Sequence, residues 1–473
     1  MSSRRTLIRG GHVLTIDPSI PDLPVGDVLI QGNVIQAVGP NLQVADAEVV
    51  DAKGMVVCPG FVDTHRHTWQ TQLRTVASDY TLSDYGLNIR LGYSSFYEPQ
   101  DAFLGNYAGA LEALNAGVTT IVDHCHIINS PEHADEALRG LREAGGRAVW
   151  CYGLFPNPKH HPFRFDDFDP SWRLDDARRI RKGALASDDG PVYMGLAPAE
   201  VEKPAFEAVA EEVRFGREIG AKVISCHVAM GGHSVHVRPS VTTSLGRALL
   251  LGPDILLVHG NSLSRHELGM VRDYGAAISA TPEIEVQMGM GRPILGAALR
   301  AGARIGLGVD IVSNIGGDMF HPMRSALVEE RGADNDVLFK NDQIPRRLEF
   351  RCRDVVRVAT MGGAEAIGLD SKIGSLTPGK KADVICVRRT SFNTMGAWDP
   401  EATLVHYATP NDVDSVWVDG RAIKRNGALL GVQQQAIVEQ VWASRERLER
   451  QYREINIDQL RSTKGYQREN YGN

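Results

Sequence analysis

The feature that most limits what this chain can fold into is an alternation. Between about residues 55 and 335, eight short apolar runs are separated by amphipathic segments. The runs are residues 55–67 ("MVVCPGFVDTHRH"), "VTTIVDHCH" from Val118, "RAVWCYGLF" from Arg147, "VYMGLAP" from Val192, "KVISCHV" from Lys222, "ILLVHG" from Ile255, "AAISATP" from Ala276 and "ARIGLGVD" from Ala303. Each has the length and apolar content of a buried strand. The segments between them, such as "PEHADEALRGLREAGG" and "RPILGAALRAG", space apolar residues as a helix does, and several close on glycine. Eight strands alternating with helices predict an α/β chain folded as a (β/α)8 TIM barrel, with its chemistry at the C-terminal ends of the strands. A doubly wound open sheet is the alternative, because periodicity does not reveal closure.

The flanks read differently. Residues 1–54 and 373–431 are short alternating strands with glycine turns, and neither stretch buries much alone. The two are expected to join in one small β-sandwich domain beside a barrel spanning residues 55–372. Residues 432–473 read as a charged helix ("AIVEQVWASRERLERQYREIN") followed by a polar, mobile end.

The polar residues of the apolar runs fall at their ends: His65 and His67 on the first, His227 on the fifth, His259 on the sixth and Asp310 on the eighth. On a strand, positions i and i+2 share a face, so His65 and His67 point the same way. A single strand histidine is ordinarily a hydrogen-bonded core residue. Independent core histidines, however, need not all fall where a barrel builds its active site. His65, His67, His227 and Asp310 therefore read as ligands of one divalent transition metal, zinc first, with iron, cobalt, manganese or nickel also suited. Such an ion acidifies a bound water, and Asp310 could take its proton and hand it to a leaving group.

Composition narrows the partner. The formal net charge of -7 comes without any block of lysine and arginine, which argues against nucleic acid or an anionic membrane and for a small-molecule substrate. No stretch approaches about 20 uninterrupted apolar residues, and the start has no apolar signal core, so a cytoplasmic protein is expected. The six cysteines form no CxxC pair and read as packing residues.

Taken together, "PGFVDTHRH", the "HV" of the fifth run, the "VHG" of the sixth, "GLGVD" followed by "SN" and "DMF", and "GSLTPGKKADVICV" resemble the amidohydrolase superfamily over about residues 5–430. The nearest branch is that of the triazine hydrolases and the cytosine or guanine deaminases. The resemblance implies the same metal ligands, with His259 polarising the substrate or steadying the water. It also implies one metal rather than two, since "YMGLAPAE" lacks the lysine that bridges dinuclear members. Relatives are commonly dimers or higher, so a homo-oligomer is expected.

One position departs from the family pattern. Deaminases of this group carry a glutamate three residues after the fifth-strand histidine, where it shuttles protons to a ring nitrogen; here "CHVAMGGH" has Met230. A thioether cannot serve that role. Either the substrate is an amide, urea, carbamate or thiocarbamate that needs no ring proton, which is the preferred reading, or Glu200 ("APAE") or Glu283 ("TPEIE") substitutes in an aminohydrolase or dechlorinase of a nitrogen heterocycle. Thiocarbamate and phenylurea hydrolases of the superfamily supply the analogy for the first. A barrel kept as a non-enzymatic scaffold is the third class. Trp69, Gln70, His124, His126, Met230, Met288 and Asn314 are placed with the substrate. "KHHPFRFDDF", after the third run, has the length of a lid.

Overall fold

A ring of eight parallel strands dominates the computed structural model, which describes residues 5–160, 163–164, 171–202 and 205–461. The strands are Phe61–Arg66, Val118–Cys125, Arg147–Gly153, Val192–Ala197, Ile224–Val228, Ile255–His259, Ala277–Ala280 and Arg304–Leu307, and they follow one another around the barrel in chain order. Leu307 of the eighth strand pairs with Asp63 of the first, which closes the ring and excludes the open sheet. All eight residues of the second strand are buried. That accounts for its continuous apolar run: one face packs the barrel interior and the other meets the surrounding helices.

The helices follow their sequence signals. Pro131–Ala144 starts with proline in its first turn, ends at Gly145 in the left-handed conformation (φ 82°), and buries Ala134, Ala137, Leu138 and Leu141. This i, i+3, i+4, i+7 stripe is the face turned to the barrel. Proline at the start costs no hydrogen bond, and glycine at the end carries the positive φ without a Cβ clash.

Residues 55–67, expected as one strand, are two. Met55–Pro59 pairs with Arg5–Val13 and Val384–Arg388 in the terminal sheet, and Phe61–Arg66 opens the barrel. Gly60 makes the transfer, at a place where a Cβ would lie 2.1 Å from Thr119 Oγ1. The small domain is one nine-stranded mixed sheet drawn from both chain ends, with Ile8, Val28, Ile35, Val57, Val384 and Trp417 in its core. The buried Arg147–Asp383 ion pair (2.8 and 2.9 Å) ties it to the third barrel strand.

The C-terminal helix, Gln434–Tyr452, lies against the segment after the first strand. Tyr452 stacks on Tyr93 with ring centroids 4.0 Å apart, and Ser444 donates to Asp101 at 2.6 Å. Of its expected mobile end, Ile457–Arg461 form a short helix and residues 462–473 lie outside the described residues, as does most of the expected lid after the third strand. No described helix is long and apolar enough to cross a membrane. The six cysteines are free, and all but Cys352 are buried.

Candidate active site

The first and eighth strands bring the opposite ends of the barrel sequence together. Asp310 N–H donates to the His65 carbonyl and His67 N–H donates to the Asp310 carbonyl, both at 2.8 Å. This exchange holds the two histidines beside the aspartate. Asp310 Oδ1 lies 3.3 Å from His65 Nε2 and 3.4 Å from His67 Nε2. From the fifth strand, His227 Nε2 approaches His65 Nε2 to 3.3 Å. His259 (φ 70°), Asp310 (φ 69°) and Glu200 (φ 26°), each at or just beyond a strand's end, take the left-handed conformation. For a residue with a Cβ that conformation costs about 1–2 kcal/mol, which the surrounding packing must offset.

Hydrogen bonds behind the rings set where their lone pairs point. His67 Nδ1 lies 2.8 Å from the His124 carbonyl, which can only accept, so Nδ1 carries the proton and Nε2 turns its lone pair inward. His227 Nδ1 faces Glu200 Oε2 at 3.4 Å, with the same result. Burial, reinforced by neighbouring imidazoles, pushes His65 and His67 well below the usual histidine range and keeps both neutral.

The inward-turned nitrogens of His67 and His227 thus crowd with His65 Nε2 and a carboxylate oxygen at 3.3–3.4 Å, an arrangement that a cation among them would stabilise. Four donors about 2.0–2.1 Å from one tetrahedral ion are about 3.3–3.4 Å apart. One ring nitrogen from each of His65, His67 and His227 also lies within 4.8 Å of the other two. The three histidines thus fit a divalent metal in chemistry and in spacing, and Asp310 stands against two of them.

His259 stands to one side. Its Nε2 is 4.0 Å from Asp310 Oδ2, and its Nδ1 is 3.0 Å from Thr281 Oγ1 and 3.6 Å from Glu285 Oε1. Burial opposes a charge on this ring, but Glu285 and Asp310 outweigh it and raise its pKa. Glu285 is fully buried, and its Oε1 also accepts from Thr281 N–H at 2.7 Å.

Above these groups opens a cavity of about 130 Å³. Leu82, Leu91, Phe155, Met230, Met288 and Met290 give it apolar walls; Tyr85, Arg90, His126, Glu200 and Glu202 supply polar ones. Of the residues placed with the substrate from sequence, Met230, Met288, His126 and Glu200 line it. The others do not. Trp69 is fully buried and donates to His126 Nδ1 (3.0 Å) from behind the wall. Gln70 is fully buried between Ser313 and Tyr85. His124 is stacked under His227 (4.3 Å) with Nδ1 on Ser225 Oγ. Asn314 donates to the Ala77 carbonyl. Glu283 lies among Asp318, His321 and Arg324, and burial raises its carboxyl. For Trp69 and Gln70 the cause is that the loop after the first strand turns back into a 3-10 helix, Thr68–Leu73, all of it buried.

Sequence reasoning missed Glu202, Arg90, Thr281 and Glu285. The last two had a signal in "TPEIE", where i and i+4 share a helix face. Glu202 accepts from Ala229 N–H (2.7 Å) and from Ser234 Oγ, which braces the turn after the fifth strand.

The amidohydrolase family model matches residues 56–423. A 5′-deoxyadenosine deaminase of Methanosarcina mazei is 25% identical over 455 residues, 93% of this chain and 98% of its own. A 5-methylthioadenosine/S-adenosylhomocysteine deaminase of Thermococcus kodakarensis is 28% identical over 426 residues, 88% and 93% of the two chains. Two crystal structures share the fold with a TM-score of 0.81 and 23% identity, and both hold zinc. One is an adenosine deaminase from Xanthomonas campestris, matched over 94% of this chain and 98% of that one. The other is an atrazine chlorohydrolase from Arthrobacter aurescens TC1, matched over 93% and 100%. The chain belongs to the amidohydrolase family and is a hydrolase acting on carbon–nitrogen bonds other than peptide bonds.

Proposed function

We propose that the protein is a zinc-dependent aminohydrolase that replaces the exocyclic amino group of a nitrogen heterocycle, of the adenosine type, with oxygen and releases ammonia. The observation that carries this reading is Glu200. Its carboxylate lines the cavity 3.4 Å from His227 Nδ1, the same cavity that Met230 lines. The carboxyl absent from position 230 is supplied from the end of the fourth strand. This reverses the preference drawn from sequence, which rested on Met230 alone.

His65, His67, His227 and Asp310 would hold a divalent cation, which would acidify a bound water to near neutrality. Asp310, with Oδ1 toward His65 and His67 and Oδ2 toward His259, takes a proton from the attacking water and returns it to the departing amine. Glu200, in its protonated form, gives its proton to the ring nitrogen, which takes the electron pair of the carbon–nitrogen double bond as the carbon–oxygen bond forms, and it recovers a proton from the new hydroxyl group as the amine departs. His259, backed by Thr281 and Glu285, donates to the developing oxyanion. The methionines and Phe155 exclude bulk water from the exchange.

A second reading has one observation in its favour: Met230 itself lines the cavity, which suits an amide, urea, carbamate or thiocarbamate cleaved with Asp310 as the only proton carrier. A homo-oligomer belongs to the same proposal, supported by Phe392 and Trp398, each 93% exposed. Light scattering after size exclusion tests it. For the reaction, zinc-loaded protein is offered 5′-deoxyadenosine, 5-methylthioadenosine, a phenylurea and a thiocarbamate. Ammonia from either nucleoside supports the proposal; hydrolysis of the urea or thiocarbamate with both nucleosides inert replaces it with the second reading.

A further inference from the structure

The wall of the cavity nearest His67 has a polarity that the chemistry of one indole fixes. Trp69 Nε1–H donates to His126 Nδ1 at 3.0 Å. An indole has no acceptor, so His126 Nδ1 must offer its lone pair, and the neutral ring must carry its proton on Nε2. Nε2 makes no hydrogen bond to another of the described residues, the ring's one such bond being that to Trp69, and His126 lines the cavity. The ring cannot turn to present another edge without losing the indole bond. It is stacked on His67 (centroids 4.0 Å, planes 15° apart), and its backbone carbonyl is held by Arg90 at 3.1 Å and Asn157 at 2.9 Å. Trp69 is itself immobile: fully buried, edge-on to Tyr97 (4.9 Å), with its carbonyl accepting from the Tyr97 hydroxyl at 3.2 Å.

From this arrangement we infer that His126 is a specificity-determining residue, a hydrogen-bond donor of fixed polarity that selects a substrate presenting an acceptor, either a carbonyl oxygen or an unprotonated ring nitrogen, at the edge facing it. An amino group or ring N–H at that place meets the His126 N–H donor to donor, and both lose a partner in a site of little water. The inference rests on the aminohydrolase reading: the amino group to be removed points at Asp310 and His259, and an acceptor on the ring points at His126. In an adenine ring the acceptors not being protonated for the reaction are N3 and N7, and one of them is the atom read by His126.

The test has two arms. In zinc-loaded protein labelled with 15N-histidine, ring 15N–1H correlation spectra report each imidazole's tautomer, and the His126 signals are those lost in His126→Gln. The expected result is an Nε2–H tautomer that becomes a mixture in Trp69→Phe. An Nδ1–H tautomer in the unmodified protein, or no change in Trp69→Phe, overturns the inference whatever the enzyme turns over.

In the second arm, kcat/KM is measured for 5′-deoxyadenosine and its 3-deaza and 7-deaza analogues. One analogue is expected to be worse by about tenfold to a hundredfold, the cost of leaving the donor unmatched, and that gap closes in His126→Phe while the other analogue keeps its ratio. Equal ratios in both proteins overturn the inference. If no nucleoside reacts, the aminohydrolase reading has failed, and the tautomer still decides the role of His126.

Discussion

Replacing Asp63 with asparagine isolates the contact that sets the first strand against the eighth. Asp63 and Arg66 are both fully buried and pair at 2.8 Å. Asp63 Oδ1 also accepts from the backbone N–H of His65 (3.2 Å) and of Val309 (3.0 Å), and Arg66 donates to the Gly317 carbonyl at 2.6 Å. Backbone positions beside His65 and beside Asp310 thus converge on one carboxylate. In Asp63→Asn the side-chain oxygen can still serve the two amides, but the NH2 group then faces the Arg66 Nε–H, donor against donor. The guanidinium keeps the Gly317 carbonyl and, as its one remaining carboxylate, Glu112 at 3.7 Å.

Removing one member of a buried ion pair costs about 3–5 kcal/mol. With about 2.1 cal/mol/K of unfolding entropy per residue, 473 residues unfolding as a unit carry about 1 kcal/mol/K. The melting temperature is therefore expected to fall by about 3–5 °C, with a matching loss in urea denaturation. Asp63→Leu combined with Arg66→Met, which removes both charges and keeps the volume, recovers most of the loss. An asparagine variant within about 0.5 kcal/mol of the parent, or a double variant no more stable than the single one, refutes this account of how the site is held.

Other expectations follow from the same geometry. Adding zinc to chelator-treated protein raises its stability by about 2.7 kcal/mol at a hundredfold excess over Kd; differential scanning fluorimetry should show the shift, and His65→Ala with His67→Ala should abolish it. Glu285→Gln removes the charge behind His259 and is expected to lower kcat about 10- to 100-fold with KM little changed; an unchanged kcat contradicts the role given to Thr281 and Glu285. Glu212, which accepts from Ala199 N–H at 2.8 Å, is pushed by burial from an ordinary 4.5 to about 7. The folded state then binds more protons than the unfolded one between those values, so stability falls as pH rises from about 4.5 to 7. Glu212→Gln has no such loss: denaturation should find it level with the parent near pH 4 and more stable by at most about 3 kcal/mol at pH 8, and equal stability at both pH values contradicts the assignment.

The barrel, its eight strands and the five groups at their ends were legible because each rests on a short-range rule: a buried strand is a continuous apolar run, and its last residues face the open end. What lay beyond the strand ends was not legible. Glu200 and Glu283 look alike in sequence, each a few residues past a strand, yet Glu200 enters the cavity and Glu283 leaves it. The difference lies in loop backbone, including the positive φ at Glu200, and no side-chain pattern encodes that. Trp69 and Gln70 were expected to touch substrate because they follow the paired histidines. The 3-10 turn that buries them instead makes them the groups that set the polarity of His126 and Tyr85. The division of residues 55–67 at Gly60 was hidden for a similar reason, since an apolar run reads the same whether it serves one sheet or two.

The most direct test of the central claim is ammonia release from 5′-deoxyadenosine by zinc-loaded protein and by Glu200→Gln, with bound metal quantified in both. The account predicts one divalent ion per chain in each, ammonia equal to the nucleoside consumed by the parent, and a rate about 10²- to 10⁴-fold lower in the variant. A variant as fast as the parent, or a parent that turns over nucleoside without metal, contradicts it.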